Sequence, residues 1–143
     1  MGVRVVSAEL RHVDDLRALL TEFSESARNL ETSTLAARLL DEGTHVLVAE
    51  RDDVAVGTAT LGFTTTLTQG VVAHVEDVVV TSASRGQGIG RVLMAAAREE
   101  AARRGAAYID LTSRPSRVAA NRLYTSIGYR LRETNAYRLD LRS

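Results

Sequence analysis

Apolar side chains recur along this chain at two spacings, one typical of helices and one typical of strands. From His12 to Phe23, apolar residues return every three or four positions with charged residues between them, which predicts a helix with one buried face. The same pattern, together with caps and glycines at segment ends, predicts four helices. They span His12–Phe23, Ser33–Glu42, Gly88–Arg104 and Ser116–Ser126.

Runs rich in valine, leucine and threonine predict the strands. Asp52-Asp53 lies between two such runs and predicts a tight hairpin, while Gly57 and Gly62 predict a bulge or bend in the following strand. Consecutive strands that later alternate with helices predict a mixed sheet with helices on its faces, in a single domain over residues 1–143. The predicted strands are Val3–Ala8, His45–Arg51, Val54–Thr65, Val71–Val80, Ala106–Thr112, Tyr129–Arg132 and Asn135–Leu141.

The charge balance and the missing residue types exclude several classes of function. Basic and acidic side chains number 18 each, so the formal net charge is zero, and nucleic acid is not expected as the main partner. Cysteine is absent, which excludes disulfides and thiolate catalysis, and lysine is absent, which excludes Schiff-base chemistry. The three histidines (His12, His45 and His74) lack a metal-ligand spacing, so no metal is expected. No apolar run approaches a membrane span, so we expect a cytoplasmic protein without a membrane partner.

A glycine-rich segment stands out between the predicted strand Val71–Val80 and the helix that follows it. Residues 85–91 read Arg-Gly-Gln-Gly-Ile-Gly-Arg. Glycine allows a ligand to approach the backbone closely, and the free N–H groups at the start of a helix favour negative charge. The segment is therefore predicted to hold a phosphate or pyrophosphate.

Two motifs in this order resemble those of the GCN5-related N-acetyltransferases, the GNAT superfamily. The family's cofactor loop has Arg or Gln, two residues, Gly, one residue, and then Gly or Ala, and Arg85, Gly88 and Gly90 satisfy this pattern. The second signature is Asn, then Tyr three residues on, then a Gly-Tyr or Gly-Phe pair. It is met by Asn121, Tyr124 and Gly128-Tyr129, and the whole resemblance runs from roughly Leu47 to Leu141.

The resemblance implies an α/β (α+β) fold and a cofactor. The expected fold is a mixed, mostly antiparallel sheet of about six to seven strands flanked by about four helices, with a splay between strands four and five. The cofactor would be acetyl-CoA, with its diphosphate on the loop, its pantetheine along the fourth strand and its thioester carbonyl facing the N–H of Val78. The residues implied to bind the cofactor are Val78, Val79, Val80, Arg85, Gly86, Gln87, Gly88, Ile89, Gly90, Arg91, Asn121 and Tyr124.

The resemblance also implies acetyl transfer to an amine, which needs an acid for the departing thiolate and a neutral amine for the attack. Tyr124 stands at the position of the family's general acid. Glu76 is the first candidate for the general base, while Asp77, or no dedicated base, remains open. Regular alternation would place these two carboxylates on opposite faces of the strand and His74 on the face of Glu76.

Alternatives remain for the activity, the acceptor and the assembly. Asp110 suits a dinucleotide-binding fold, but Arg91 stands where that fold needs its third glycine. A non-catalytic acyl-CoA-binding module is the other rival. The acceptor is a small-molecule or peptide amine. Arg114 and Arg117 either bind an acidic group on this acceptor or lie in solvent. The resemblance also makes a homodimer an open expectation.

Overall fold

The computed structural model describes residues 2–142, and it comprises two compact units that divide between Thr112 and Ser113. Short 3₁₀ turns stand at Leu10–His12, Glu25–Asn29 and Ser82–Ser84. Whether the chain forms a single domain stays a prediction. The strands are β1 (Arg4–Ser7), β2 (Thr44–Arg51), β3 (Val54–Thr66), β4 (Gly70–Val80) and β5 (Ile109–Asp110), and the helices are α1 (Val13–Phe23), α2 (Thr32–Leu39), α3 (Ile89–Arg103) and α4 (Val118–Ser126).

The first unit is built on a sheet with the strand order β1-β2-β3-β4-β5. The first four strands are antiparallel neighbours, and β5 runs parallel to β4. The hairpin predicted at Asp52-Asp53 is confirmed, with Arg51 pairing with Val54 across the two-residue turn. Both aspartates have positive φ, 53° and 63°, which is the twist that a tight hairpin turn requires. The predicted mixed, mostly antiparallel sheet is therefore correct.

The two strand glycines that the sequence singled out serve different purposes. Next to Gly57 the β2–β3 register shifts, which confirms the predicted bulge. A Cβ at Gly57 would also stand 3.0 Å from Leu93 Cδ1, so the glycine lets α3 pack closely on β3. At Gly62 the pairing is regular, but a Cβ there would lie 2.7 Å from His74 Nε2. Gly62 therefore makes room for the His74 ring rather than for a bend.

Helical spacing places the apolar faces of the helices on the sheet. The α1 face joins residues of α2, β2, β3 and β4 in one buried cluster. The predicted stripe of α3 is largely buried, but Val92 is 44% exposed and Met94 takes its place in the core. Helix α2 ends at Leu39, short of the predicted Glu42. The α1 cluster comprises Val13, Leu16, Leu19, Leu35, Val48, Ala55 and Val79.

A buried polar cluster fixes the start of α1 to β2. The Glu50 carboxylate is almost fully buried, and it accepts a hydrogen bond of 2.7 Å from Arg11 Nη1 and lies 3.0 Å from His12 Nε2. The hydrogen bond from Arg11, followed by that with His12, lowers the pKa of Glu50 to about 2. Because a buried charge is tolerated only when it is paired, this carboxylate specifies how α1 meets the sheet.

The C-terminal part of the chain departs from the prediction. Residues 129–142 form no regular secondary structure, so the strands predicted over Tyr129–Arg132 and Asn135–Leu141 were wrong, and the described sheet has five strands. Strand β5 is also shorter than the predicted Ala106–Thr112. Alternation of apolar residues indicates a strand, but a strand forms only where a neighbour supplies backbone partners. Leu131, Tyr137, Leu139 and Leu141 are instead between 84% and 97% exposed.

Candidate active site

The glycine-rich loop forms the turn that leads from the 3₁₀ turn into α3. Gly86 and Gly88 have φ values of 79° and 80°, a left-handed conformation that strongly favours glycine. Gly88 is the N-cap of α3 and offers no side-chain cap to the first amides of the helix. No heavy atom lies within 4 Å of where a Cβ would stand at either glycine. The loop therefore presents the start of a 15-residue helix to open space.

Side chains from distant parts of the first unit brace this loop. Arg51 Nη2 donates a hydrogen bond of 2.6 Å to Gln87 Oε1, and Arg51 Nη1 lies 3.3 Å from Ser84 Oγ. Within the loop, Arg85 Nε donates to the carbonyl of Val80 at 3.2 Å. The end of β2, where Arg51 lies, therefore helps to hold the conformation of the glycine loop.

A carboxylate of α1 braces the segment just before the loop. Glu22 accepts hydrogen bonds of 2.9 Å from the Ser82 backbone N–H and from the Thr81 hydroxyl. These two hydrogen bonds, with that from Ser82 the larger cause, lower the pKa of Glu22. Glu22 and Arg51 therefore anchor the two ends of the connection between β4 and α3.

The predicted splay between the fourth and fifth strands is present. The β4–β5 ladder pairs Ala73 with Ile109 and His74 with Asp110, and it ends there. Strand β4 continues to Val80 while its opposite edge stays paired with β3, where Val79 faces Thr58 and Val80 faces Gly57. The edge of β4 beyond His74 therefore has no β5 partner.

A β-bulge interrupts β4 at its two adjacent carboxylates. The β3–β4 register shifts between Thr58 and Thr60, and Asp77 has a φ of 50°. The strand is therefore not regular at this point, as alternation alone had predicted, but bulged. Both carboxylates are exposed; Glu76 pairs across the ladder with Thr60, while Asp77 lines a cavity that Glu76 does not line.

That cavity lies under the first two helices of the first unit, beside the bulge. It has a volume of about 230 Å³, and its walls are mainly leucine, valine and threonine. Three charged side chains face it: Arg38 and Asp41 near the end of α2, and Asp77. Burial raises the pKa of Asp77, and the charge of Arg38 partly opposes that shift. The other lining residues are Leu16, Leu20, Leu30, Leu35, Leu39, Thr44, Val46, Thr58 and Thr60.

The second unit carries the second motif on α4. Tyr124 is buried, and its ring centroid lies 6.1 Å from that of Tyr129. Burial raises the pKa of Tyr124, while the charge of Arg117 and a hydrogen bond with that guanidinium act in the opposite direction. Asn121 Nδ2 donates a hydrogen bond of 3.0 Å to the carbonyl of Arg114, which ties α4 to the segment before it. Arg117, expected to bind an acceptor or to lie in solvent, thus contacts the predicted acid.

Among residues 2–142 there is neither a metal-binding cluster nor a membrane-spanning helix. In this range, no group of three or more His, Asp or Glu side chains is arranged to hold a metal ion. Over the same residues, every helix is too short or too polar to span a bilayer.

Comparison with known proteins decides the family. Residues 13–129 match the model of the Acetyltransferase (GNAT) family. The chain belongs to this family. The GNAT chain is 32% identical over 130 residues to the aminoalkylphosphonate N-acetyltransferase of Salmonella typhimurium strain LT2, an alignment that covers 85% of this chain and 84% of the relative.

Solved structures show the same fold. The GNAT chain matches an acetyltransferase from Trypanosoma brucei with 26% identity and a TM-score of 0.83, over 98% of this chain and all of that one. It also matches the aminoglycoside N-acetyltransferase AAC(6')-Iy, solved in complex with CoA, with a TM-score of 0.82 over 98% of this chain and 95% of that one. At 16% identity the second match shows the fold alone.

The sequence alone did not indicate several residues of this GNAT site. Arg51 and Glu22 carry no motif, because their partners lie far away along the chain. Arg38 occupies the polar face of a short helix, where the sequence predicts only a charge in solvent. The doublet Glu76-Asp77 was the only available signal of the bulge, since charged residues seldom interrupt a buried strand, and it was read as regular alternation.

Proposed function

We propose that this protein transfers an acetyl group directly from acetyl-CoA to the primary amine of a small molecule or a peptide. The observation that carries the proposal is the glycine loop, in which Gly86 and Gly88 adopt positive φ at the uncapped start of α3. Such a helix start attracts a diphosphate through its free amides and its dipole. The unpaired β4 edge of the same unit is suited to add an extended ligand by backbone hydrogen bonds.

In the proposed complex, backbone amides of residues 85–91 bind the diphosphate of CoA, and the β4 edge at Val78–Val80 binds the pantetheine. The N–H of Val78 would donate to the thioester oxygen as negative charge develops there. The residues fit this ligand: the loop is open, braced by Arg51 and Glu22, and next in sequence to β4. Asn121 of the second motif is proposed to face the cofactor.

Tyr124 is proposed as the acid that protonates the CoA thiolate when the amine displaces it. Its raised pKa keeps the hydroxyl protonated at neutral pH, and the Arg117 guanidinium can stabilise the phenolate that forms. Glu76 remains a candidate for the base that takes the proton from the amine, directly or through water. The position of Asp77 in the cavity lining supports Asp77 as its competitor.

The relatives support this class of reaction. The 32% identical relative is named for acetylation of aminoalkylphosphonates, and the structurally similar aminoglycoside N-acetyltransferase was solved with CoA. The name of the 32% identical relative describes acetyl transfer to a small molecule, which favours such an acceptor here over a peptide.

The proposal is tested by titrating the protein calorimetrically with acetyl-CoA and with NAD, and by following release of free CoA with a panel of amines. We expect binding of acetyl-CoA but not NAD, and amine-dependent release of CoA. Tyr124→Phe should lower kcat about tenfold or more while the Kd for acetyl-CoA stays within twofold, because the hydroxyl acts only as thiolate forms. Binding without turnover of any amine would instead indicate a non-catalytic acyl-CoA module.

We also propose that two copies of the chain associate through residues 129–142. The support is the alternating apolar row Leu131, Tyr137, Leu139 and Leu141, whose members are all strongly exposed in the single chain. Light scattering should give the mass of a dimer for the wild type and of a monomer for Leu139→Glu. A monomeric wild type at all concentrations would contradict the proposal.

A further inference from the structure

The cavity beside the β4 bulge contains two opposite charges that no protein partner satisfies. Arg38 and Asp77 both line it, and over residues 2–142 neither side chain takes part in a hydrogen bond or an ion pair. They are near enough for the charge of Arg38 to act on the Asp77 carboxylate. Asp41, the third charged side chain of the lining, differs because its Oδ1 already accepts a 2.8 Å hydrogen bond from the Gly43 N–H.

Arg38 and Asp77 are both exposed, so a ligand that enters the cavity can reach the two charges directly. The leucine and valine side chains of the lining would exclude part of the surrounding water once a ligand binds, which strengthens charged contacts. Arginine presents a fork of donors that suits phosphonate or carboxylate oxygens, and an aspartate suits an ammonium group or takes its proton. The two opposite charges of the lining are therefore complementary to a ligand that carries both an acid and an amine.

The position and size of the cavity restrict that ligand further. Asp77 lies on β4 next to Val78, whose N–H is the proposed oxyanion donor, so an amine on Asp77 would lie close to the transferred acetyl group. The volume of about 230 Å³ falls below the about 300–1,000 Å³ typical of small-molecule sites. A compact, flexible acceptor fits this space better than a folded protein terminus does.

We propose that Arg38 and Asp77 together select a short primary amine that bears an anionic group, with Arg38 binding the anion and Asp77 receiving the amine. This inference rests on the proposed acetyltransferase function and names its acceptor class. Arg38 acts as a specificity-determining residue, since its guanidinium touches the acceptor without taking part in acetyl transfer.

The direct test is calorimetric binding to the CoA-saturated protein of four compounds: 2-aminoethylphosphonate, β-alanine, propylamine and ethylphosphonate. The first two carry an amine and an acid, propylamine lacks the acid, and ethylphosphonate lacks the amine. At least one of the two-group compounds should bind ten times more tightly than either single-group compound. Propylamine binding as tightly as both two-group compounds would overturn the proposal, and so would no binding by any of the four.

Substitutions of Arg38 and Asp77 then test which residue binds the anionic group and which binds the amine. Arg38→Gln should weaken the binding of 2-aminoethylphosphonate at least tenfold and that of propylamine much less. Asp77→Asn should weaken the binding of 2-aminoethylphosphonate but not that of ethylphosphonate. The matched control is Arg98→Gln, which removes an exposed arginine of α3 outside the cavity lining and should change nothing. An equal loss in Arg98→Gln would show that net charge, not the cavity, attracts the anion. Arg38→Met provides a second variant with good helix propensity should the first one unfold.

Measurements of acetylation rate distinguish a failure of the proposed acceptor class from a failure of the proposed acetyltransferase function. In Arg38→Gln the KM for the two-group amine should rise about tenfold or more, much more than the KM for propylamine, and the loss should appear in KM rather than in kcat because uniform binding of the anionic group is removed. Acetylation of propylamine as efficient as that of 2-aminoethylphosphonate in the wild type would refute the acceptor class but preserve the acetyltransferase. Absence of both acetyl-CoA binding and turnover would refute the function itself.

Discussion

Replacing Gly57 by alanine tests the packing that positions the glycine loop. The new Cβ would stand 3.0 Å from Leu93 Cδ1, 3.1 Å from Ile89 Cγ2 and 3.2 Å from the carbonyl of Val79. The first two atoms belong to α3, and the third is backbone of β4. The two helix contacts fall in the first turns of α3, so relief of the clash shifts the Leu93 and Ile89 side chains or the helix start that carries them.

Two effects of opposite sign determine how much Gly57→Ala changes the free energy of unfolding. Alanine restricts the unfolded chain and so stabilises the fold by about 0.4–1 kcal/mol. Overpacking of a well-filled core costs about 1–3 kcal/mol. The clash should prevail, so the free energy of unfolding falls by about 0.5–2 kcal/mol and Tm by about 2–6 °C.

The assay is urea denaturation followed by circular dichroism, with acetyl-CoA affinity measured in parallel. Leu93→Val removes the side-chain atom nearest to the new Cβ, so the double variant should be less destabilised than the sum of the single variants. An unchanged or more stable Gly57→Ala protein, or strictly additive single variants, would refute the close contact between β3 and α3.

Two further predictions concern Glu50 and Arg51. The pKa of Glu50 is lowered to about 2, so its stabilising effect is complete above its ordinary value of about 4.5 and lost as the pH falls from there toward 2. Urea denaturation should therefore show a stability advantage of wild type over Glu50→Gln at pH 6 that shrinks by pH 3; an equal advantage at both values would exclude the ionised carboxylate as its source. Arg51→Gln removes the hydrogen bonds to Gln87 and Ser84, each contributing about 0.5–1.5 kcal/mol, and should raise the calorimetric Kd for acetyl-CoA about threefold to tenfold. Arg98→Gln serves as the control, and equal effects of the two variants would argue against bracing of the loop.

Local patterns predicted most of the first unit. Helical spacing predicted α1 and α3, and the two aspartates between apolar runs predicted the β2–β3 hairpin. Gly86 and Gly88 predicted the turn into α3, because the positive φ that glycine allows is a local property of the backbone. These features depend on residues that are neighbours in sequence.

The features that sequence did not predict depend on distant partners. The bulge at Asp77 arises from the register of two strands, and one strand read alone suggests regular alternation. Arg51 reaches Gln87 across 36 positions of the chain, and Arg38 meets Asp77 only through the fold. The alternating residues after Tyr129 have strand character but lack a backbone ladder in the single chain.

The central claim is that the amides of residues 85–91 bind the diphosphate of CoA, and two glycine variants test it most directly. Gly88 and Gly105 stand at opposite ends of α3 with φ values of 80° and 75°, and no heavy atom lies within 4 Å of either missing Cβ. Alanine should therefore impose a similar backbone strain at both positions. Calorimetry should show that Gly88→Ala raises the Kd for CoA at least tenfold while Gly105→Ala leaves it within twofold of wild type. Equal CoA affinity in the two variants would contradict the account.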